Sequence, residues 1–317
     1  MEPAVPILVL TGQTASGKER LALAVAGRLG GEIISADSMK VYRGMDVGTA
    51  KASPDQRRLV PHHLIDVADP AETFSTARWL ALADEAIAAA GARGRVAVVS
   101  GGTPLYLKAL LEGLFKGPSA DGAIRERLAA EADRLGTPSL HGRLAEVDAA
   151  AAARIHPNDL RRITRALEVW ELTGSPISEL QKQWGAGSPR YRPLVAAIRR
   201  DRADLTRRIA DRVGRMLAAG LVEEVRRLVA RPEGLARGPR QALGYAEVLD
   251  LLAGRLAEGD LAAAIVAHTR QFARRQMMWI RRFDGVCWLD AVPDTPTDGF
   301  ADRVAGLWDE HTGRATP

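Results

Sequence analysis

At 317 residues the chain is long enough for one large domain or two modest ones. It is 46% hydrophobic and 26% charged, no apolar run approaches the ~20 residues that span a bilayer, and one cysteine, Cys287, leaves no internal disulfide or cysteine-based zinc site. The net charge of +5 is unevenly spread: 20 Arg, no Lys and 10 acidic residues lie between Arg190 and Phe283, a balance of +10 against −5 elsewhere, which points to a polyanionic partner.

"PILVLTG" at 6–12 reads as a buried strand, lacking the basic flank of a secretory signal. "GQTASGKERLALAVAGRLG" continues it as a loop and an amphipathic helix stopped by glycine. "GEIISADS" is a second strand with polar residues at its carboxyl end, and "HHLIDVADP" a third, short one; the pair His62-His63 lacks metal-ligand spacing. "TARWLALADEAIAAAGARG" is a helix, "RVAVVSGG" a buried strand and "TPLYLKALLEG" another helix. Apolar strands alternating with helices predict an α/β fold, a parallel sheet core covered by helices on both faces. Ligands of such sheets sit beyond the carboxyl ends of the strands, the edge that receives Gly12–Glu19, Asp37, Ser38 and Gly101-Gly102-Thr103.

From Pro118 to Pro189 the pattern changes to helical periodicity without a strand candidate, bracketed by "KGPSADG" and "WGAGSPR", so 118–189 reads as a small all-helical insertion domain in a core made of 1–117 and 190–317. Within it, "HPNDLRRITRALEVWELTG" has Asn158 or Asp159 as N-cap and Gly174 as stop. "PLVAAIRR" reads as a return strand, the chain is then helical to about Phe283, and "GVCWLD" is a last strand followed by a tail.

Residues 12–19, "GQTASGKE", match the phosphate-loop pattern G-x-x-x-x-G-K-[ST] at Gly12, Gly17 and Lys18 and miss its last position. A strand before and a helix after supply the context in which backbone N–H groups surround phosphate oxygens while lysine neutralises charge. The pattern indicates phosphate or pyrophosphate, not hydrolysis. Glu19, at the position of a metal-binding hydroxyl, leaves two readings open: a carboxylate ligand to Mg²⁺, or a charge that opposes the bound phosphates. Asp37 is placed to accept a proton from a nucleophile, or else caps a turn. Thr103 could meet a leaving oxyanion, or else caps the next helix.

In "AIVAHTRQFARRQMMWIRRF" the residues Ile265, Phe272, Trp279 and Phe283 share one helical face, with Thr269 and Gln276 beside them. Arg270, Arg274 and Arg281 occupy the opposite face, Arg275 and Arg282 flank the apolar one, and no acidic residue interrupts the run. An anchored helix with uncompensated arginines fits binding to a phosphate backbone. Arg161, Arg162 and Arg165 make a second basic patch on the insertion, offset by Glu168 and Glu171.

With "GQTASGK", "DSMKVYRGMDVGTAK", "PHHLID", "GGTPLYLKALLEGL", "PSADGAIRERL", "IHPNDLRRITRALEV", "QALGYAE" and "TRQFARRQMMWIRR" in order, the chain resembles the tRNA dimethylallyltransferase (tRNA isopentenyltransferase) family from about Ile7 to Asp290. The resemblance implies transfer of a dimethylallyl group from dimethylallyl diphosphate to N6 of adenosine 37, 3′ of the anticodon, in tRNAs reading codons that begin with U. It implies that the loop of Gly12, Gln13, Thr14, Ala15, Ser16, Gly17, Lys18 and Glu19 holds the donor's pyrophosphate with Mg²⁺, so no nucleotide need be hydrolysed. Asp37 would be the base toward N6, Thr103 would sit near the bridging oxygen of the leaving group, and Lys18 would neutralise it.

Contacts to the tRNA anticodon stem-loop are implied for Asp37, Ser38, Met39 and Lys40, for Thr103 and Arg125, and for Arg161, Arg162, Ile163, Thr164 and Arg165. They are further implied for Gln241, Ala242, Leu243, Gly244, Tyr245 and Ala246, and for Arg274, Arg275, Gln276, Met277, Met278, Trp279, Ile280 and Arg281. A cytoplasmic monomer without membrane attachment is expected. The chain departs from the family pattern at Glu19 (Thr or Ser), Gln13 (Pro), Lys40 (Gln) and Met278 (Thr), and the first departure bears on the chemistry. Three other readings stay open at this point: a small-molecule P-loop kinase, a prenyltransferase acting on AMP, and a tRNA-binding protein of weak activity because of Glu19.

Overall fold

A computed structural model describes residues 4–115, 117–183, 190–293 and 295–313. Its chain divides into two compact units, 1–111 with 191–317, and 112–190, against the 118 and 189 read from composition. The flank at 184–189 lies outside the described residues, as does Lys116.

The first unit is built on a parallel sheet of β1 (Pro6–Gly12), β2 (Glu32–Ala36), β3 (His62–His63), β4 (Ala97–Gly101), β5 (Arg192–Arg200) and β6 (Cys287–Ala291). Their order is β3-β2-β4-β1-β5-β6, with every neighbouring pair parallel. β1 is central: Leu8 pairs with Val98 on one side and Leu194 on the other, and Ile7 to Leu10 are buried. Such a strand must be apolar on both faces because helices cover both. Since the strands are parallel, the carboxyl ends of β1, β2, β4 and β5 open on one edge.

Two expectations need correction. The third strand comprises only His62 and His63, because Leu64 and Asp66 adopt left-handed backbone with φ of 61° and 61°, which ends the pairing. Past them one isolated bridge joins Tyr42 to Ala68. The expected tail contains a helix, Thr297–Thr312, whose Ala301, Val304 and Trp308 are buried in the cluster that holds Leu21, Val25 and Leu8. Phe300, Val304 and Trp308 recur at four-residue spacing, a signal of a core-facing helix that the composition of the tail obscures.

The second unit consists of helices Gly122–Leu135, Thr137–Val147, Ala149–Ala152, Leu160–Thr173 and Ile177–Leu180, with no strand among its described residues. Leu128, Leu140, Leu144, Ile163 and Leu167 form its core. Of the two candidate caps, Asp159 accepts the N–H of Arg162, and Gly174 closes the helix at φ 67°.

Candidate active site

β1 ends at Gly12 and the helix Lys18–Leu29 begins after a loop held open by left-handed backbone at Ala15 (φ 62°) and Gly17 (φ 99°). A Cβ at Gly12 would lie 2.8 Å from the Ser16 hydroxyl, so the turn has room for glycine alone. Gln13 donates from Nε2 to the carbonyl of Ala273 at 3.0 Å. Lys18 is buried and its Nζ reaches the Gln13 carbonyl at 3.5 Å. Burial lowers the Lys18 ammonium below the ordinary lysine range, opposed by Glu19.

The ends of β2 and β4 lie side by side. Asp37 accepts the N–H groups of Met39 and Lys40 on Oδ1 at 2.8 and 3.3 Å, so it caps the turn, and Oδ2 is unbonded among the described residues. Thr103, just before the helix Pro104–Glu112, accepts the Ser38 N–H on its hydroxyl at 3.0 Å. The turn-capping reading of Asp37 therefore describes a real contact, whereas the Thr103 hydroxyl meets Ser38 and the first N–H groups of the helix Pro104–Glu112 go to the Thr103 carbonyl instead; each side chain borders a cavity of about 250 Å³. That cavity gathers Lys18, Glu19, Asp37, Thr103, Arg212 and Arg275, residues from five separate stretches of sequence.

Glu19 and Lys40, the two departures that carry charge, meet there. Lys40 Nζ lies 3.1 Å from Glu19 Oε1, with side-chain exposures of 5% and 44%. Burial would raise the Glu19 carboxyl, yet the Lys40 and Lys18 ammoniums hold it below the usual carboxylate range.

Gln276 is 3% exposed and bridges the loop to the end of β4: its Oε1 accepts the Thr14 N–H at 2.7 Å and its Nε2 donates to the Gly102 carbonyl at 2.7 Å. The helix Leu261–Ile280 thus buries Ile265, Thr269, Ala273, Gln276 and Ile280, a stripe rotated from the expected aromatic one, with Phe272 and Trp279 half-buried at its margin. Small and polar residues take the centre because the loop approaches there. Arg270, Arg274, Arg275, Arg281 and Arg282 are exposed, and none has an acidic partner among the described residues. Met277 is half-buried and Met278 exposed.

Tyr245, fully buried, donates its hydroxyl to Glu224 at 2.5 Å, and Glu224 also accepts the N–H groups of Asp46, Val47 and Gly48. Ala242 is buried with it, whereas Gln241 is exposed and Leu243 and Ala246 half-buried. The side chains of Ile163, Tyr245 and Ile280 are buried, and Tyr245 also lines the cavity that Thr103 borders.

Within the second unit, Arg125 binds the fully buried Glu168 through two nitrogens at 2.7 and 3.0 Å. Arg165 binds Glu168 at 2.6 Å and the Pro118 carbonyl at 2.8 Å. These two arginines are committed to internal contacts, while Arg161 and Arg162 are exposed and Thr164 half-buried.

Sequence reasoning missed Arg212, which borders the cavity beside Glu19, and the clamping role of Gln276. Arg208, Arg212 and Arg215 recur at helical spacing on Arg202–Ala218, and that cationic stripe was the available signal. Arg208 and Arg200 donate to the loop carbonyls of Ala15 and Ser16 at 2.9 and 2.7 Å.

Among the described residues, no group of three or more His, Cys, Asp or Glu is placed to hold a metal. Mg²⁺ commonly binds one or two carboxylates plus phosphate oxygens. Glu19, a partly exposed carboxylate facing the cavity, fits that mode.

A family model described as IPP transferase matches residues 40–283. A tRNA dimethylallyltransferase of Anaeromyxobacter sp. (strain Fw109-5) is 49% identical over 298 residues, 94% of this chain and 98% of that protein. One from Symbiobacterium thermophilum is 50% identical over 304 residues, 96% and 95% of the two chains. The crystal structure of the tRNA isopentenylpyrophosphate transferase of Bacillus halodurans is similar at TM-score 0.70 and 36% identity, covering 98% of each chain. A eukaryotic dimethylallyltransferase acting on tRNA is similar at TM-score 0.81 and 26% identity, covering 98% of this chain and 81% of that one.

Proposed function

Because this chain belongs to the IPP transferase family, we propose that it transfers a dimethylallyl group from dimethylallyl diphosphate to N6 of adenosine 37 in tRNAs reading codons that begin with U. The observation that carries the reading is the convergence of the phosphate loop, Asp37 and Thr103 on one cavity at the carboxyl edge of the sheet. A small-molecule kinase would need neither the insertion nor the exposed arginines of Leu261–Ile280, and the similarity spans both.

The loop N–H groups, Lys18 and Arg212 would bind the diphosphate and stabilise its charge as it leaves. As the bond from N6 to C1 of the dimethylallyl group forms, the C1–O bond breaks and its electron pair departs on the diphosphate. N6 gives up one proton, for which the unbonded Oδ2 of Asp37 is the acceptor. Thr103 would donate its hydroxyl hydrogen to the bridging oxygen. Mg²⁺, held by Glu19 and the phosphates, would supply further charge neutralisation. The adenine lies in a loop, so extruding it costs only a few kcal/mol. Arg270, Arg274, Arg281 and, on the insertion, Arg161 and Arg162 would bind tRNA phosphates. The protein would work as a cytoplasmic monomer; no helix among the described residues is long and apolar enough to cross a membrane.

The test incubates the protein with Mg²⁺, dimethylallyl diphosphate and an anticodon stem-loop carrying A36 and A37, followed by mass spectrometry of the digested RNA. One dimethylallyl group on A37, absent from an A37→G substrate, is expected. Unmodified A37 in every reaction would sink the proposal.

A further inference from the structure

We propose that Lys40 is a resident counter-ion for Glu19, cancelling the carboxylate in the phosphate loop so that the loop attracts a diphosphate whether or not a divalent cation is present. The proposal rests on the reading of Gly12–Glu19 as a diphosphate site. Where the general loop pattern carries a neutral hydroxyl, this chain carries a negative charge beside Lys18. Alone, that charge would oppose the attraction the lysine provides.

Lys40 removes the conflict. Its Nζ stands 3.1 Å from Glu19 Oε1, its side chain is 5% exposed, and it pairs with no other acidic group among the described residues. A buried ammonium persists when it has a partner, and Glu19 is that partner. The two members are unlike in access. Glu19 remains 44% exposed and a cation from solution can reach it, whereas Lys40 is held in place by its backbone. The Lys40 N–H donates to Asp37 Oδ1 at 3.3 Å, and its carbonyl accepts the Asp66 N–H at 3.2 Å. The turn that presents Asp37 to the cavity therefore also presents Lys40 to the loop.

The charge balance gives the consequence. The pair adds nothing to the net charge of the cavity, whereas either member alone would change it by one unit. Without Lys40, Glu19 would need an external cation before a diphosphate could bind, so metal dependence would rise. Lys40 is thus a positioning residue, acting through Glu19 rather than on the reacting atoms.

Isothermal titration with inorganic pyrophosphate tests this, in EDTA and in Mg²⁺, on the full chain and on Lys40→Gln, Glu19→Gln, the double variant and a Lys18→Met control. Lys40→Gln should lose about tenfold or more in metal-free affinity and recover most of it in Mg²⁺, while the double variant returns to within about threefold of the original chain. If Lys40→Gln and the original chain show the same ratio of metal-free to Mg²⁺ affinity, or the double variant stays as weak as Lys40→Gln, the proposal fails. An ion pair of structural value only would lower the melting temperature and leave that ratio alone. Lys40→Met, which keeps the buried stem, serves where Lys40→Gln does not fold. Pyrophosphate binding that is absent, or indifferent to Lys18→Met, would overturn the loop reading and this proposal together. Binding that needs Lys18 but ignores Lys40 would overturn this proposal alone.

Discussion

The N–H of Thr14 donates to the side-chain oxygen of Gln276 at 2.7 Å, and the other end of the same amide donates to the Gly102 carbonyl at 2.7 Å. One buried side chain thereby sets the spacing between the phosphate loop and the strand end that leads to Thr103. Gln276→Leu would leave two backbone groups without partners, at a cost of about 1–3 kcal/mol each. We expect kcat/KM for dimethylallyl diphosphate to fall about tenfold or more, through misplacement of reacting groups. Affinity for the anticodon stem-loop should change little. A filter-binding loss without a kinetic one would show that Gln276 meets RNA instead.

The arginines divide into free and committed groups, and the division predicts different phenotypes. Arg274→Gln removes an exposed cation that has no acidic partner among the described residues. Binding to tRNA should weaken, and the slope of log affinity against log salt should shrink by about 0.7–1. Arg165→Gln instead breaks contacts to Glu168 and Pro118 and should lower the melting temperature. Equal salt slopes for Arg274→Gln and the original chain would refute the assignment.

Burial alone would raise the Glu168 carboxyl, but Arg125, Arg165 and the Asp121 N–H hold it below the usual glutamate range. Its ionised form is favoured by folding, so its contribution to stability is complete above the unfolded value near 4.5 and is lost as pH falls through the lower folded value. The unit 112–190 should therefore melt earlier in acid. Arg125→Ala should cost about 2–4 kcal/mol at neutral pH by stripping a partner from a buried carboxylate. Thermal melts of Arg125→Ala and Glu168→Gln across pH check both statements, and Glu168→Gln should show a flatter acid dependence.

Trp308 is 2% exposed on the helix Thr297–Thr312, and its indole Nε1 has no hydrogen-bond partner among the described residues. Trp308→Ala should cost about 3–5 kcal/mol from lost packing. Trp308→Phe should cost much less, because it also removes the unpaired N–H. Urea denaturation measures the difference, and near-neutral Trp308→Ala would mean this helix contributes little to the core.

Local patterns were legible in the sequence wherever one segment carries its own constraint. Gly12, Gly17 and Lys18 marked the phosphate loop, and apolar strands alternating with helices indicated the parallel sheet. The edge where ligands gather followed from strand direction alone. Asn158 or Asp159 at one end and Gly174 at the other bounded a helix because caps act within one turn, and the structure selects Asp159. The charge excess between Arg190 and Phe283 was countable without coordinates.

Side-chain partners were not legible, because they depend on which segments the fold brings together. Nothing near Thr14 in sequence announces Gln276, 262 residues away. The arginine count could not separate Arg125 and Arg165, bound to a buried Glu168, from Arg274 and Arg281, which face solvent. The four-residue spacing of Phe300, Val304 and Trp308 hints at a helix in the tail, but only the fold brings Leu21 and Val25 against Val304 and Trp308. Glu19 read alone is an irregularity in a loop; only the fold places the buried ammonium of Lys40 against it, because burial makes an unpaired charge costly and folding supplies the pair.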